Sequence, residues 1–313
     1  MYGHIPVLLH EALQFLQPKS GGRYLDGTLG LGGHSEAILK ACDGELLGLD
    51  RDPDALAKAS TRLAPFGKRA HLRQSCFSDF DTQLKQLGWS GLDGALLDLG
   101  VSSMQLDAPE RGFSFLHDGP LDMRMGHDGE AIQDKESAFG LISSLSYEEL
   151  RKIIAEYGEE PMAAPIAKAI IKARAEGIYS TTQLAQIVEG AYPPKWRATA
   201  RRHPATRTFQ AIRMAVNREL EELKFFLERI PQWLLPGARL VIISFHSLED
   251  RMVKQAFKRG AENCICPKHL PLCVCNNKAI YNIVTKKPIL PSEQECEHNS
   301  RAGCAKMRVV EKR

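Results

Sequence analysis

The stretch Tyr24-Leu25-Asp26-Gly27-Thr28-Leu29-Gly30-Leu31-Gly32-Gly33-His34-Ser35 joins an apolar strand tip ending in a carboxylate to a glycine-rich turn, and Glu36-Ala37-Ile38-Leu39-Lys40 continues it as a helix. Glycines let a backbone take φ > 0 and pass close under a ligand, and the start of a helix offers unpaired N–H groups. In open α/β sheets such a strand-turn-helix unit is where nucleotide-like ligands bind. Taken alone, the glycines leave an ordinary ligand-free turn as the alternative.

The next strand narrows the choice. Glu45-Leu46-Leu47-Gly48-Leu49-Asp50 is a short apolar run closed by an acid 24 residues after Asp26. A carboxylate there can accept hydrogen bonds from two vicinal ribose hydroxyls, which leaves a dinucleotide or S-adenosyl-L-methionine as candidate cofactor. In dinucleotide folds the glycine turn faces a pyrophosphate. Asp26, placed ahead of the glycines, would sit badly beside that anion and suits the positive sulfonium and amino groups of S-adenosylmethionine. The pattern therefore predicts a methyltransferase.

Outward from this core, Val7 to Leu16 has helical spacing and stops at Pro18, and Pro53 opens a helix continued by residues 55–63. Residues 69–75 form a weak third strand. Phe77 follows it, where an adenine ring could pack, with burial in the core as the plainer reading. Leu92-Asp93-Gly94-Ala95-Leu96-Leu97-Asp98 is a fourth strand, again closed by an acid. Strands with terminal carboxylates separated by helices point to one parallel sheet with its ligand edge at their C-terminal ends.

Beyond Asp98 the chain reads Leu99-Gly100-Val101-Ser102-Ser103-Met104-Gln105-Leu106-Asp107, then Arg111-Gly112-Phe113-Ser114-Phe115 and Pro120-Leu121-Asp122-Met123-Arg124-Met125. Aromatics stack on bases and Arg reaches phosphate, so this irregular segment suits a base-binding wall, and plain packing is the alternative. Helical periodicity then runs unbroken by strands. Ser146 with Glu149 and Ser180 with Gln183 are capping boxes, and Gly158 and Gly177 are stops. An α/β unit returns to its sheet sooner than this. The expected division is a methyltransferase core over 1–106, an inserted helical substrate-recognition domain over 107–205, and the core resumed over 206–313. The domain's exit, Lys195-Trp196-Arg197 through Arg201-Arg202-His203 to Arg207, places five cations and a Trp in thirteen residues, which favours RNA over a merely solvated surface.

Phe209, Ile212, Val216, Leu220, Leu223, Leu227 and Ile230 recur at steps of three and four, which predicts one long helix on the sheet. After Pro236-Gly237, residues 239–245 make a fifth strand, Ser247 with Asp250 starts a helix, and residues 279–285 and 306–310 make a closing antiparallel pair. Between these, Cys264, Cys266, Cys273 and Cys275 put four thiols in twelve residues. Thiolates favour Zn²⁺, but C-x-C is not the common C-x₂₋₄-C spacing, and reduced unliganded thiols fit equally; no metal is assigned.

The 313 residues are enough for a full core, and the ordinary 25% charged and 43% apolar content fits a globular chain. A net charge of +3 does not by itself require nucleic acid. No run approaches a membrane span and no basic n-region precedes an apolar stretch, so no membrane partner and a cytoplasmic location are expected. The sequence leaves the oligomeric state open.

Together the segments 4–9, 26–35, 50–53, 98–107, 111–115, 120–125, 203–210 and 244–251 resemble one family, the bacterial 16S ribosomal RNA (cytosine-N4)-methyltransferases. The resemblance implies an α/β fold: a Rossmann-like class I methyltransferase sheet with an inserted all-helical domain. It implies S-adenosylmethionine as methyl donor and a cytosine of the decoding region as acceptor, in small-subunit ribosomal RNA or the ribosomal subunit. It also implies cofactor contacts at Gly32, Gly33, His34, Asp50, Phe77, Asp98 and Gln105. For the chemistry, Asp98 or a carbonyl of the following turn is the candidate acceptor for the N4 hydrogens, with Ser102 or Ser103 orienting the ring. A non-catalytic ribosome assembly factor that binds S-adenosylmethionine or a dinucleotide is the competing reading.

Overall fold

The computed structural model describes residues 6–126, 136–200, 202–264, 266 and 274–313. The chain divides into two compact units, the first made of Met1–Gly100 with Leu220–Arg313 and the second of Val101–Glu219. In the first, α1 (Leu9–Leu16), β1 (Arg23–Asp26), α2 (Gly33–Ala41), β2 (Glu45–Asp50), α3 (Pro53–Leu63), β3 (Ala70–Gln74), α4 (Phe80–Gln86) and β4 (Leu92–Asp98) alternate as βαβ units do. The second holds α5 (Ser103–Asp107), α6 (Ala138–Ser144), α7 (Tyr147–Gly158), α8 (Ala163–Ala173), α9 (Thr181–Gly190), α10 (Pro194–Thr199) and α11 (Ala205–Asn217). The chain continues through α12 (Glu219–Arg229), β5 (Leu234–Ser244), α13 (Ser247–Ala261), β6 (Tyr281–Ile283), α14 (Glu293–His298) and β7 (Lys306–Lys312).

The sheet order is β3-β2-β1-β4-β5-β7-β6. β1 to β5 are parallel, whereas β7 runs antiparallel to both β5 and β6. Its central strands alternate between two apolar cores, because a sheet covered on both faces buries apolar side chains on each. Leu25, Leu47, Leu97, Leu240 and Ile242 face one core with Phe80, Phe226 and Phe257. Tyr24, Leu46, Leu96, Val241 and Ile243 face the other with Leu16, Ile38, Leu39 and Leu63. The second unit has its own core, in which Leu150, Ile154, Ile166, Ile170, Leu184, Phe209 and Ile212 close around one another.

Three expectations are corrected. The single helix over 209–230 is two, α11 and α12, parted at Arg218, whose φ of 52° is left-handed. The spacing runs through the break because α11 buries Phe209 and Ile212 in the helical core while α12 buries Leu223, Phe226 and Leu227 against the sheet. The cap of α13 is His246, not Ser247: its Nδ1 accepts the Glu249 N–H, and Glu249 Oε2 accepts the His246 N–H in return. Finally, β5 starts at Leu234, ahead of the Pro236-Gly237 pair, and its register against β4 shifts between Leu92 and Gly94 to absorb the irregularity.

Candidate active site

The chain leaves β1 for β2 and β3 on one side, then returns to β4 on the other. That reversal opens a crevice beyond the C-terminal ends of β1 and β4, the place where open α/β sheets bind ligands. The glycine turn crosses it and is tied down on both sides. Gly27 N–H donates to Leu96 O at 3.0 Å and Leu29 N–H to Leu49 O at 2.8 Å. Thr28 Oγ1 accepts the Asp98 N–H at 2.6 Å, and Asp50 Oδ2 accepts the Gly30 N–H at 2.7 Å. Gly32 enters α2 at φ 74°, which glycine takes without steric cost, and no side chain caps the helix start it opens. Gly33 is needed for a different reason: a Cβ there would stand 2.3 Å from Pro6 Cγ.

The carboxylates are the distinctive part. Asp26 is 1% exposed; its Oδ2 accepts from Ser35 Oγ at 2.6 Å and its Oδ1 from the Thr28 N–H at 3.2 Å. Burial outweighs these bonds and pushes its carboxyl up to about 6. Asp50 accepts the Asp52 N–H on Oδ1 at 2.9 Å besides Gly30 on Oδ2, and burial raises its carboxyl too. Asp98 is raised well above the usual carboxylate range, first by burial and then by the negative charges of Asp26, Glu249 and Glu295. Its Oδ1 is buried without a hydrogen-bond partner. His34, buried in the first turn of α2, has Nε2 3.1 Å from Val7 O, so Nε2 is its donor, and its Nδ1 stands 3.8 Å from Asp98 Oδ2.

These residues discriminate between the two candidate cofactors. A pyrophosphate would add negative charge to a turn bordered by Asp26, Asp50 and Asp98, with no Lys or Arg paired to any of them among the described residues. A cation would offset the burial that disfavours the charged form of all three and give Asp98 Oδ1 a partner. The residues present fit S-adenosylmethionine.

The structure draws Gly32, Gly33, His34, Asp50 and Asp98 together around one turn. Phe77 is partly buried beside it, with its ring edge-on to Phe226 at 5.8 Å. Ser102 and Gln105 belong to the second unit and bond to each other. Ser102 Oγ accepts the Gln105 N–H at 3.2 Å and Gln105 Oε1 accepts the Ser102 N–H at 3.0 Å, a capping box that starts α5. Sequence reasoning assigns no role of their own to Ser35, Thr28, Glu249 and Glu295. An H-x-x-E capping pattern marks Glu249, but nothing local marks Glu295, whose Oε1 accepts the Leu8 N–H at 2.7 Å.

The expected base-binding wall is partly corrected. Arg111 and Arg124 are buried: Arg111 donates to Arg124 O and Met125 O, and Arg124 Nε reaches Asp122 Oδ1 at 2.5 Å. They brace the loop from inside. Lys195, Trp196, Arg197, Arg202 and Arg207 are exposed, and Phe115 packs between His203 and Phe209, each ring at 4.7 Å. His4, Ile5, Arg201 and Cys273 lie outside the described residues.

Cation-seeking acids at the switch point of this strand order separate class I methyltransferases, which use S-adenosylmethionine, from dinucleotide enzymes built on similar sheets, and the chain falls with the former. All of it, residues 1–313, matches the MraW methylase family, and the chain belongs to that family. It is 58% identical over 312 residues to the ribosomal RNA small subunit methyltransferase H of Oleidesulfovibrio alaskensis, covering 99% of this chain and 95% of that protein. It is 54% identical over 312 residues to the protein of the same name from Lawsonia intracellularis, covering 99% of each. Among solved structures, an rRNA methylase from Streptococcus thermophilus aligns over 99% of this chain and 98% of its own, at 11% identity and a TM-score of 0.45, too distant to carry an argument.

Proposed function

We propose that this methyltransferase transfers a methyl group from S-adenosylmethionine to the exocyclic N4 of a cytosine in the decoding region of small-subunit ribosomal RNA, in the cytoplasm. The observation that carries the methyl-transfer reading is the ring of acids around Asp98, with one buried oxygen lacking a partner. The RNA target follows the names of the relatives, which align over nearly the full chain.

Bound S-adenosylmethionine supplies an electrophilic methyl on a cationic sulfur. Asp50 receives the ribose hydroxyls on the lone pairs that its two backbone bonds leave. Gly32, Gly33 and His34 face the cofactor from the uncapped start of α2, Phe77 flanks the adenine, and Gln105 adds a polar contact. The N4 amine is a weak nucleophile because its lone pair is delocalised into the ring. Asp98 accepts an N4 hydrogen at Oδ1 and takes the proton as positive charge builds on nitrogen, a task its raised basicity suits. Ser102 Oγ, which accepts the Gln105 N–H, retains its own hydrogen to orient the ring. The helical unit recognises the RNA through the exposed Lys195-Trp196-Arg197 run with Arg202 and Arg207.

The test is methyl transfer in vitro to small ribosomal subunits and to naked 16S RNA, read by nucleoside mass spectrometry. N4-methylcytidine at one site is the expected product. Methyl transfer to carbon or to ribose, or none to either substrate, rejects the reading.

A further inference from the structure

Nineteen residues, 262–280, join α13 to β6, and they carry a thiol cluster that methyl transfer does not use. The ends of this connection are pinned. Ile280 N–H donates to Gly260 O at 2.7 Å, Asn277 Nδ2 to Glu262 O at 2.6 Å, and Ala279 N–H to Asn263 Oδ1 at 3.4 Å. Beyond that neck apolar burial fades: Val274 is 72% exposed, and Cys264 is exposed. The described residues of the connection form no strand or helix, and one this long calls for some other source of order.

The sulfurs supply one. Cys264, Cys266 and Cys275 are unoxidised, and their three Sγ atoms all lie within 4.8 Å of one another. Cys275 Sγ stands 3.9 Å from Cys264 Sγ. A disulfide needs about 2.05 Å, so these sulfurs are not bonded. A tetrahedral ion with Zn–S near 2.3 Å sets its sulfurs about 3.8 Å apart, which matches the 3.9 Å between Cys264 and Cys275. The neighbouring backbone is already arranged for thiolates: the Val274 N–H donates to Cys266 Sγ at 3.4 Å, and Asn276 turns the chain at φ 50° directly after Cys275. Such N–H donors stabilise the negative charge a thiolate keeps on a metal.

We propose that Cys264, Cys266 and Cys275 bind a soft divalent ion, Zn²⁺ foremost, as a structural clip that orders the connection between α13 and β6. Each thiol gives up its proton as its Zn–S bond forms, so three protons leave as one ion enters, and no oxidant or reductant takes part. The fourth position of the tetrahedron takes a further protein ligand or water. Three sulfurs outweigh the departure from C-x₂₋₄-C spacing, because Cys275 reaches the C-x-C pair across the pinned neck.

The test uses the full chain, reduced and stripped of metal, then titrated with Zn²⁺ and separately with Co²⁺. About one ion per chain is expected. With Co²⁺ the expected signature is intense visible bands and a near-ultraviolet sulfur-to-cobalt charge-transfer band. Cys264→Ser and Cys275→Ser should each lose at least the roughly 10–100-fold in affinity that loss of an outer hydrogen-bonding partner costs at a metal site. Cys304→Ser, an exposed thiol outside the cluster, should bind as the wild type does. Circular dichroism of every variant checks folding, and the cobalt spectrum of the wild type decides the matter should a variant fail to fold. Absence of the charge-transfer band in the wild type, or its survival undiminished in both cluster variants, overturns the proposal.

Discussion

In the helical unit, Arg124 lays its Nε on Asp122 at 2.5 Å, and Arg213 forks onto Glu219 through contacts of 2.7 and 2.8 Å. At the sheet edge of the other unit, Asp26, Asp50 and Asp98 stand together, and among the described residues no Lys or Arg pairs with any of them. Both regions bury charge. One neutralises it within the protein, so removing a partner exposes the other to an uncompensated desolvation cost. The other leaves the neutralising charge to come from outside, so burial raises its carboxyl groups at a cost in stability.

The largest effect tests the paired side. Asp122→Ala should lower stability by about 3–5 kcal/mol, the scale for breaking a buried ion pair from one side, read by chemical denaturation. A loss below about 1 kcal/mol would place that pair with ordinary surface bridges. On the unpaired side, Asp98→Asn should slow single-turnover methyl transfer at saturating cofactor and RNA by about 10²–10³-fold, with much less effect on cofactor affinity. A rate fully restored by more cofactor would make Asp98 a binding residue only.

Next, Asp50→Ala should weaken S-adenosylmethionine binding by about 1.5–3 kcal/mol in calorimetry; unchanged affinity removes Asp50 from the ribose. Asp26→Asn sharpens the contrast, because here substitution should stabilise. A carboxyl raised from 3.8 to about 6 binds its proton more tightly folded than unfolded. Its ionisation therefore costs nothing below about pH 4, costs progressively more through pH 6, and about 3 kcal/mol above that. Asn removes that cost but loses one of two accepted hydrogen bonds, leaving a net gain of about 1–2 kcal/mol at pH 7 and a flatter pH profile, with cofactor binding weakened. A destabilised variant at pH 7 would show Asp26 to be neutralised already in the free protein. The smallest effect is on RNA: Arg202→Gln with Arg207→Gln should flatten the slope of log affinity against log salt by about 0.7 per lost phosphate contact on single strands. An unchanged slope would leave those cations as solvated surface.

The sheet is readable because β1, β2, β4 and β5 are apolar runs with an acid or serine at their ends, with β3 the weak exception, and the helical unit because its caps use Ser with Glu or Gln at the usual spacing. The break at Arg218 was not, since apolar periodicity records which residues are buried and is silent about which core buries them. The cap at His246 was missed because an imidazole nitrogen rarely takes the place of Ser or Asp. At the candidate site the acids on β1, β2 and β4 announced themselves by position. Their environment did not: Glu295 reaches Leu8 across 287 positions, and no local pattern encodes such a meeting. Arg111 and Arg124 read as phosphate ligands because a sequence shows charge and not burial.

Strand β7 lies between β5 and β6, although it is synthesised after both. Until residues 306–312 exist, β5 offers an apolar edge with open N–H and C=O groups, and β6 has no neighbour to pair with. A nascent chain therefore carries an open sheet edge twice, at β4 through the making of the helical unit and at β5 until β7 is made, the kind of edge that recruits chaperones or other unfinished chains. The helical unit, continuous in sequence, can close its own core during that wait. The order of maturation on the ribosome then departs from the order of the sequence, with the middle of the chain settled before the sheet that its two ends build together.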